Sequence, residues 1–401
     1  MKSAQSRFLF CLLVLGSLIA VGSGVDFFRR MQSGSIFFVD STTPKKMRTE
    51  FRTAQNGGER VKILIVPGHD ADAPGAAFEN VTELGLNLEL GMYLKNLFAA
   101  DTRFNVVLAQ DAGGYDSVLG KYFSEKEAEI LEFRRQKHLG MYSVQQTGFV
   151  TSTIQVEHNN APESSVTRLY GMNKWANENK VDLVIHVHFN DNPLRDRRYA
   201  GRYSGVALYI PEHQYSNAAA SRALAEPVFK RLTSKFPASD LPPEKGGIIE
   251  DQELIGLGAS NSLDSASIFI EYAYIYEPQF QYESVRKLWT QEAALQTYWG
   301  VLDFFENKEQ SAKTAVLPHT WKKDMGRGLK NDTDVFALQS ALLLEGMYPS
   351  PGRTKNDCPL SGTYFDCTEK AVFAFQKKYH LPQTGYADRL TRAQLLILYG
   401  E

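Results

Sequence analysis

Net charge is nearly absent from this 401-residue chain, since 44 Lys and Arg stand against 46 Asp and Glu and leave −2 at pH 7. The chain lacks the basic surplus of a general nucleic-acid binder, so no nucleic acid is expected as a partner. The same balance says nothing for or against binding an anionic polymer. Cysteine is scarce, with only Cys11, Cys358 and Cys367. No Gly-x-Ser-x-Gly stretch occurs, which excludes the strained serine elbow between a strand and a helix. Apolar content of 43% and charged content of 22% are ordinary for a globular chain of one to three domains.

One long apolar run is present, Phe8–Val25 (FLFCLLVLGSLIAVGSGV), behind Lys2 and Arg7. A charged start, an apolar stretch and small residues at its end read as an export signal or a single membrane anchor. Its length is near the lower limit for a spanning helix, and Arg29-Arg30 beyond it leave the orientation open. No cysteine follows the run where a lipid would be attached; Cys11 lies inside it. Residues 29–58 are polar with one short apolar patch and read as a poorly ordered tether. If the chain is exported, Cys358 and Cys367, nine apart, are able to pair; otherwise they are two free thiols.

The chain is organised around Val61–Asn87. Val61–Val66 is apolar except for Lys62 and reads as a buried strand. Pro67-Gly68 stops it, leaving His69 on the turn at its carboxyl end, where open α/β sheets place their ligands. Thr82 is a helix cap, with Glu83 in the first turn. Val181–Asn190 (VDLVIHVHFN) is a second apolar strand, ending in His188-Phe189-Asn190, and Ser267–Glu271 (SIFIE) is a third. Strand ends thus deliver His69, His188 and Glu271, and a helix start delivers Glu83. Two histidines and a carboxylate, with water in the fourth position, make a catalytic zinc set.

These blocks, "VPGHD…GA…TELGLNLELGMYLKNLF", "R…NKWANENKVDLVIHVHFND", "SGVALYI" and "ASIFIEYAYIYEPQF", resemble the zinc-dependent N-acetylmuramoyl-L-alanine amidases in order and rough spacing over Val61–Glu306. The resemblance implies one Zn²⁺ held by His69, Glu83 and His188, with Glu271 as the catalytic carboxylate. It implies hydrolysis of the amide between N-acetylmuramic acid and L-alanine in peptidoglycan, in wall remodelling or daughter-cell separation. Two departures stand out. Asp70-Ala71 follows the first histidine where Gly-Gly is usual, and His186 adds an imidazole two residues before His188. His186 and His188 face one side of a strand; the family's His-X-Asn favours His188 and leaves His186 beside or beneath the metal. Asn190 would orient the loop at His188. Arg168, with Asn173 and Asn177, matches the family's "R…AN" and reads as structural support or as a substrate contact. His138, His158, His213, His319 and His380 read as packed or surface residues. Asn192–Arg202 is basic and reads as a wet loop rather than a groove for an acidic peptide.

The expected fold is α/β, a twisted, mostly parallel sheet flanked by helices, plus a small three-helix C-terminal domain. The expected layout is an export signal or anchor (1–28), tether (29–58), catalytic domain (59–306), linker (307–330) and C-terminal module (331–401). Residues 111–165 form an insert. In it, Ser124–Leu139 is expected to be a helix opened by a Ser124/Glu127 capping box, and Val150–Val156 a strand. Glu125, Glu127, Glu129 and Glu132 either cover the metal or face water, and charge runs usually face water. Pro227 is expected to kink or restart the helix over Ser216–Lys235. The stretches "LQSALLLEGMY" and "SGTYFDCTEKAVFAFQKKYHLPQTGYADRLTRAQL" resemble the three-helix peptidoglycan-binding module, its third helix opened by a Thr391–Gln394 capping box. Peptidoglycan is thus the expected partner and the cell envelope, periplasmic or outer face, the expected location. No activator is legible. The rival readings are a catalytically inactive wall-binding scaffold and a zinc peptidase acting on wall peptides.

Overall fold

The computed structural model describes residues 42–153, 161–192, 195–311 and 313–400. The expected export segment lies outside them. No helix among the described residues is long and apolar enough to cross a membrane. The first described element corrects the expectation of a tether. Pro44–Gln55 is a helix, α1, capped by Thr43. Its Met47 and Phe51 are buried, and Phe51 stacks on Phe305 at 4.8 Å. The polar composition hid it, because three residues one turn apart (Met47, Phe51, Ala54) are enough to dock a short helix.

Six strands build the sheet: β1 (Val61–Pro67), β2 (Phe104–Leu108), β3 (Leu183–Asn190), β4 (Ala207–Pro211), β5 (Ile248–Asp251) and β6 (Ala266–Tyr274), in spatial order β2-β1-β3-β6-β4-β5. The pairings β1–β2, β1–β3, β3–β6 and β4–β5 are parallel, and β6–β4 is antiparallel. Alternation along β1 explains its apolar run. Val61, Ile63 and Ile65 enter one core, and Leu64 and Val66 enter another across the sheet. A strand covered on both faces has no polar side to show.

The first core is closed by α1 and by α2 (Glu83–Ala99), α6 (Ala218–Lys235) and α7 (Glu283–Glu306). Leu86, Leu90, Leu94 and Phe98 form the buried stripe of α2, each contributing roughly 1.5–3 kcal/mol by leaving water. The second core is closed by α3 (Ser117–Glu125) and α5 (Glu163–Glu178). Pro227 does not restart α6, which runs through it. Close packing holds it against α7, where Gly300 meets Val228 so tightly that a Cβ would lie 2.5 Å from Val228 Cα.

The insert is helical but starts differently from expectation. Ser124 lies in the last turn of α3, donating to the Lys121 carbonyl, and α4 (Glu127–Gln146) begins without a side-chain cap. A charged hydroxyl-bearing stretch fits either a helix end or a start, and the contact of α3 with α5 decides it. Residues 150–153 form no strand, and the rest of Val150–Val156 lies outside the described residues.

Beyond α7 the expected linker is packed: Trp321 and Met325 are buried, and Trp321 Nε1 donates to the Asp334 carbonyl. The C-terminal helices are α8 (Thr333–Leu344), α9 (Asp366–Lys378) and α10 (Arg389–Tyr399). Asp388, not Thr391, caps α10, accepting the Thr391 N–H at 2.9 Å. The helix already begins at Arg389, so Thr391 lies inside its first turn, where its hydroxyl also donates to Asp388 Oδ1 at 2.9 Å. Cys358 and Cys367 are bridged. Asn356 of this module donates to Ser204 Oγ of the sheet domain at 3.1 Å.

Candidate metal centre and active site

Parallel pairing sets the site. β3 lies between β1 and β6, so the carboxyl ends of three neighbouring strands converge. Pro67 pairs with Val187, and Glu271 pairs with His188. Partners in register leave the same face of a sheet, so Glu271 and His188 share one side. β6 does not end at Glu271 as expected; it continues to Tyr274 past an irregularity in the pairing with β3. The chain turns sharply after β1, with His69 in the left-handed region at φ 67°.

Glu83 stands between both imidazoles. Its Oε1 lies 2.9 Å from His69 Nε2 and 3.1 Å from His188 Nδ1. Its Oε2 accepts the Ala76 N–H at 3.0 Å. Thr82 caps α2 through the Gly85 N–H, which fixes Glu83 at the positive end of the helix. Burial raises the Glu83 pKa, but hydrogen bonds from His188 and then His69 outweigh that and hold it at about 2. Burial lowers the His69 pKa, and Glu83 reverses this, leaving it raised.

Each ring is aimed from behind. His69 Nδ1 lies 3.1 Å from the Ala73 carbonyl; a proton there leaves the Nε2 lone pair facing the centre. His188 lies flat on Phe269, with centroids 4.0 Å apart. Two glycines make room. A Cβ on Gly68 would stand 2.0 Å from His188 Cε1, and one on Gly75 would stand 2.5 Å from Glu83 Oε2 and 2.8 Å from His69 Nε2. Both positions therefore admit only hydrogen.

The residues fit a zinc ion. Two imidazole nitrogens and a carboxylate oxygen lie within 4.8 Å of one another, and that donor set is zinc's. Glu271 Oε2 is buried and has no hydrogen-bond partner. Burial, then Glu83, then Glu244 push the Glu271 carboxyl well above its ordinary range. Two buried carboxylates that oppose each other's charge, one with an orphaned oxygen, are what a bound cation would compensate.

The remaining expected residues stand around this centre. Arg168 does not belong to the donor set; its guanidinium grips Asp70 and Asp72. Asp70 is the residue that sequence reading noted only as a departure. It is 3% exposed. Its Oδ1 accepts the N–H groups of Asp72 and Ala73, and its Oδ2 accepts Tyr115 Oη at 3.0 Å as well as Arg168. It thereby ties down the turn that carries His69. The run Asp70-Ala71-Asp72-Ala73 before Pro74 held the signal, because aspartate bonds its own backbone two residues on. His186 is buried beneath His188, outside the donor set, its Cε1 only 2.5 Å from where a Gly256 Cβ would be. Burial, then His188, lower its pKa to about 3. Asn190 donates to Glu244 Oε1 at 2.7 Å. Glu244 was not foreseen, and neither was Gln110, which holds the Pro67 carbonyl at 2.8 Å; nothing local marks either. Glu129 pairs with Lys126 and Lys174, and Glu132 with Arg135. None of the four glutamates Glu125, Glu127, Glu129 and Glu132 joins the donor set.

The fold is α/β, with the candidate groups gathered at converging strand ends. The particular family follows from the sequence as a whole. Residues 63–301 match the N-acetylmuramoyl-L-alanine amidase family, and residues 331–395 match a putative peptidoglycan binding domain. The first match spans more than half of the chain, which therefore belongs to that amidase family. The chain is an N-acetylmuramoyl-L-alanine amidase that hydrolyses peptidoglycan, and peptidoglycan is its partner. No curated protein sequence matches the chain. Similar solved structures include an N-acetylmuramoyl-L-alanine amidase from Clostridium difficile 630, 17% identical, covering 62% of this chain and 98% of that one, with a TM-score of 0.39. The CwlD amidase from Clostridioides difficile in complex with the GerS lipoprotein is 14% identical, over 62% and 100%, with a TM-score of 0.40. Ami1 from Mycobacterium smegmatis is 12% identical, over 62% and 98%, with a TM-score of 0.40. Membership rests on the family match, not on these likenesses.

Proposed function

We propose that the chain cuts the muramoyl–L-alanine amide with one zinc ion held by His69, Glu83 and His188 and with Glu271 as the proton carrier. The observation that carries this reading is Glu83 Oε1 shared by two histidines from two strand ends, 2.9 and 3.1 Å away, with Glu271 in register beside one of them. The ion, when bound, polarises the amide carbonyl and makes water a nucleophile near neutral pH. Glu271 takes the proton of the attacking water on a carboxylate oxygen and delivers it to the leaving nitrogen. Its burial keeps that proton from bulk water. Asp70 and Arg168 hold the His69 turn, and Asn190 holds the end of β3 through Glu244. Arg168 acts by positioning, since both of its ion pairs are to that turn.

Wall hydrolysis takes place outside the cytoplasm. The finer reading is export through Phe8–Val25 to the cell envelope, with the C-terminal module keeping the enzyme on the wall. The boundaries proposed are 59–306 for the catalytic domain, extended at its start by α1, and 331–401 for the module.

The deciding experiment measures zinc by elemental analysis beside digestion of purified peptidoglycan, analysed for free stem peptides. His69→Ala and His188→Ala should lose the catalytic ion and the activity. Glu271→Gln should keep the ion yet lose activity by roughly 10²–10⁴-fold, the range for a missing proton carrier. Undiminished cleavage by Glu271→Gln would show that the role belongs elsewhere. Products cut inside the stem peptide would make the enzyme a peptidase instead.

A further inference from the structure

The other end of the sheet carries a second set of ligand-type side chains. β4 runs antiparallel to β6, with Ala207 opposite Glu271 and Tyr209 opposite Phe269. Its carboxyl end therefore points away from His188 and Glu271. Glu212 and His213 follow β4 directly, and Glu250 lies beside it on β5, paired with Ile210. One ligand atom from each of these three residues lies within 4.8 Å of the others, as in the catalytic set.

Glu212 is the member that needs explaining. It is 1% exposed, and a carboxylate removed from water must be compensated at both oxygens. Its Oε2 is satisfied by Gln214 N at 3.1 Å, Gln214 Nε2 at 3.0 Å and Gln252 Nε2 at 3.2 Å. Its Oε1 has no aligned hydrogen bond and meets only His213 Nδ1, as an ion pair. Glu250 Oε2 lies 2.9 Å from the same nitrogen and 3.2 Å from the His213 backbone N. Arg222 binds the other oxygen of Glu250. Both carboxylates thus reach the one ring nitrogen of His213, as both imidazoles reach the one Oε1 of Glu83. The His213 side chain is 72% exposed, so the set opens to solvent and leaves room for water ligands.

We propose that Glu212 Oε1, His213 Nδ1 and Glu250 Oε2 bind a second divalent ion of the zinc type. One imidazole and two carboxylates suit zinc, with water completing the shell. Arg222 neutralises part of the excess negative charge. The ion has no part in the reaction, because it lies at the far end of β4. What it governs is the insert. Gln214 Oε1 accepts the Thr151 N–H and Gln252 Oε1 accepts the Thr153 N–H, both at 2.9 Å. Both amide side chains are anchored on Glu212 Oε2. An ion on Oε1 fixes that carboxylate and so fastens residues 151–153 to the sheet domain.

The test is zinc content of the full chain and its variants after loading and removal of excess metal, with thermal unfolding alongside. We expect two ions in the wild-type chain, one in His213→Ala, one in His69→Ala and none in the double variant. His213 is exposed, so its replacement leaves the fold intact. Added zinc should raise the unfolding midpoint of His69→Ala but not that of the double variant. A His69→Ala chain with no ion, or a His213→Ala chain that retains two, overturns the second site. A single wild-type ion that survives His69→Ala and is lost with His213→Ala would support this site and remove the catalytic one, so the two readings fail separately.

Discussion

Gly75→Ala tests the proposed metal centre without replacing any of its ligands. Gly75 sits at φ +78°, and a Cβ there would stand 2.5 Å from Glu83 Oε2, 2.7 Å from His69 Cδ2 and 2.8 Å from His69 Nε2. Holding alanine in the left-handed region costs about 1–2 kcal/mol, and forcing a methyl group into filled space costs about 1–3 kcal/mol. Together these amount to about 2–5 kcal/mol, against a typical total stability of roughly 5–15 kcal/mol. The fold should survive while His69 and Glu83 are pushed apart. A displacement near 1 Å at reacting groups lowers a rate on the order of 10²-fold. Zinc content should fall and amidase activity should fall by about that factor. Gly57→Ala is the control: Gly57 has φ +82° with nothing within 4 Å of its added Cβ. It carries the backbone cost alone, so it should lose about 1–2 kcal/mol and keep both zinc and activity. Full zinc and activity in Gly75→Ala, or equal losses in both variants, would refute the account of how this site is built.

Asp70→Ala should lower stability by about 3 kcal/mol, the lower part of the range for a broken buried pair, because Arg168 keeps some contact with solvent. It should also weaken zinc binding by freeing the His69 turn; a denaturant titration and a zinc competition assay measure the two effects. Phe51→Ala should cost about 3–5 kcal/mol, as large aromatic truncations in a core do. A loss within about 0.5 kcal/mol, the range of surface changes, would return α1 to the status of a tether. Replacing Cys358 and Cys367 together by alanine should destabilise the C-terminal module by about 2–3 kcal/mol, as expected for so short a closed loop. Its calorimetric transition reads this, and unchanged melting would show that the bridge does not constrain the module.

Local pattern determined the parts of this protein that obey local physics. The apolar run of β1, the Pro67-Gly68 stop and the Thr82 cap each follow from backbone and side-chain preferences over a few residues, and all three were legible. The candidate residues His69, Glu83 and His188, which the structure brings together, and Glu271, in register with His188, stood out in the sequence through their places at strand and helix ends and through family likeness. Tertiary structure decided the rest. Asp70 reads as a departure in the sequence, yet partners from Tyr115 and Arg168, distant along the chain, make it the anchor of the His69 turn. Glu244 and Gln110 reach their partners at Asn190 and Pro67 only when the strands come into register. α1 is polar enough to pass for a tether until Phe305 and Phe104 cover Phe51. His213 is a surface histidine as read, 72% exposed, and only the pairing of β4 with β5 sets Glu250 against it. Each of these depends on contacts between residues far apart in the chain, and hydrogen bonds and burial at such distances leave no period or spacing in a sequence to be read.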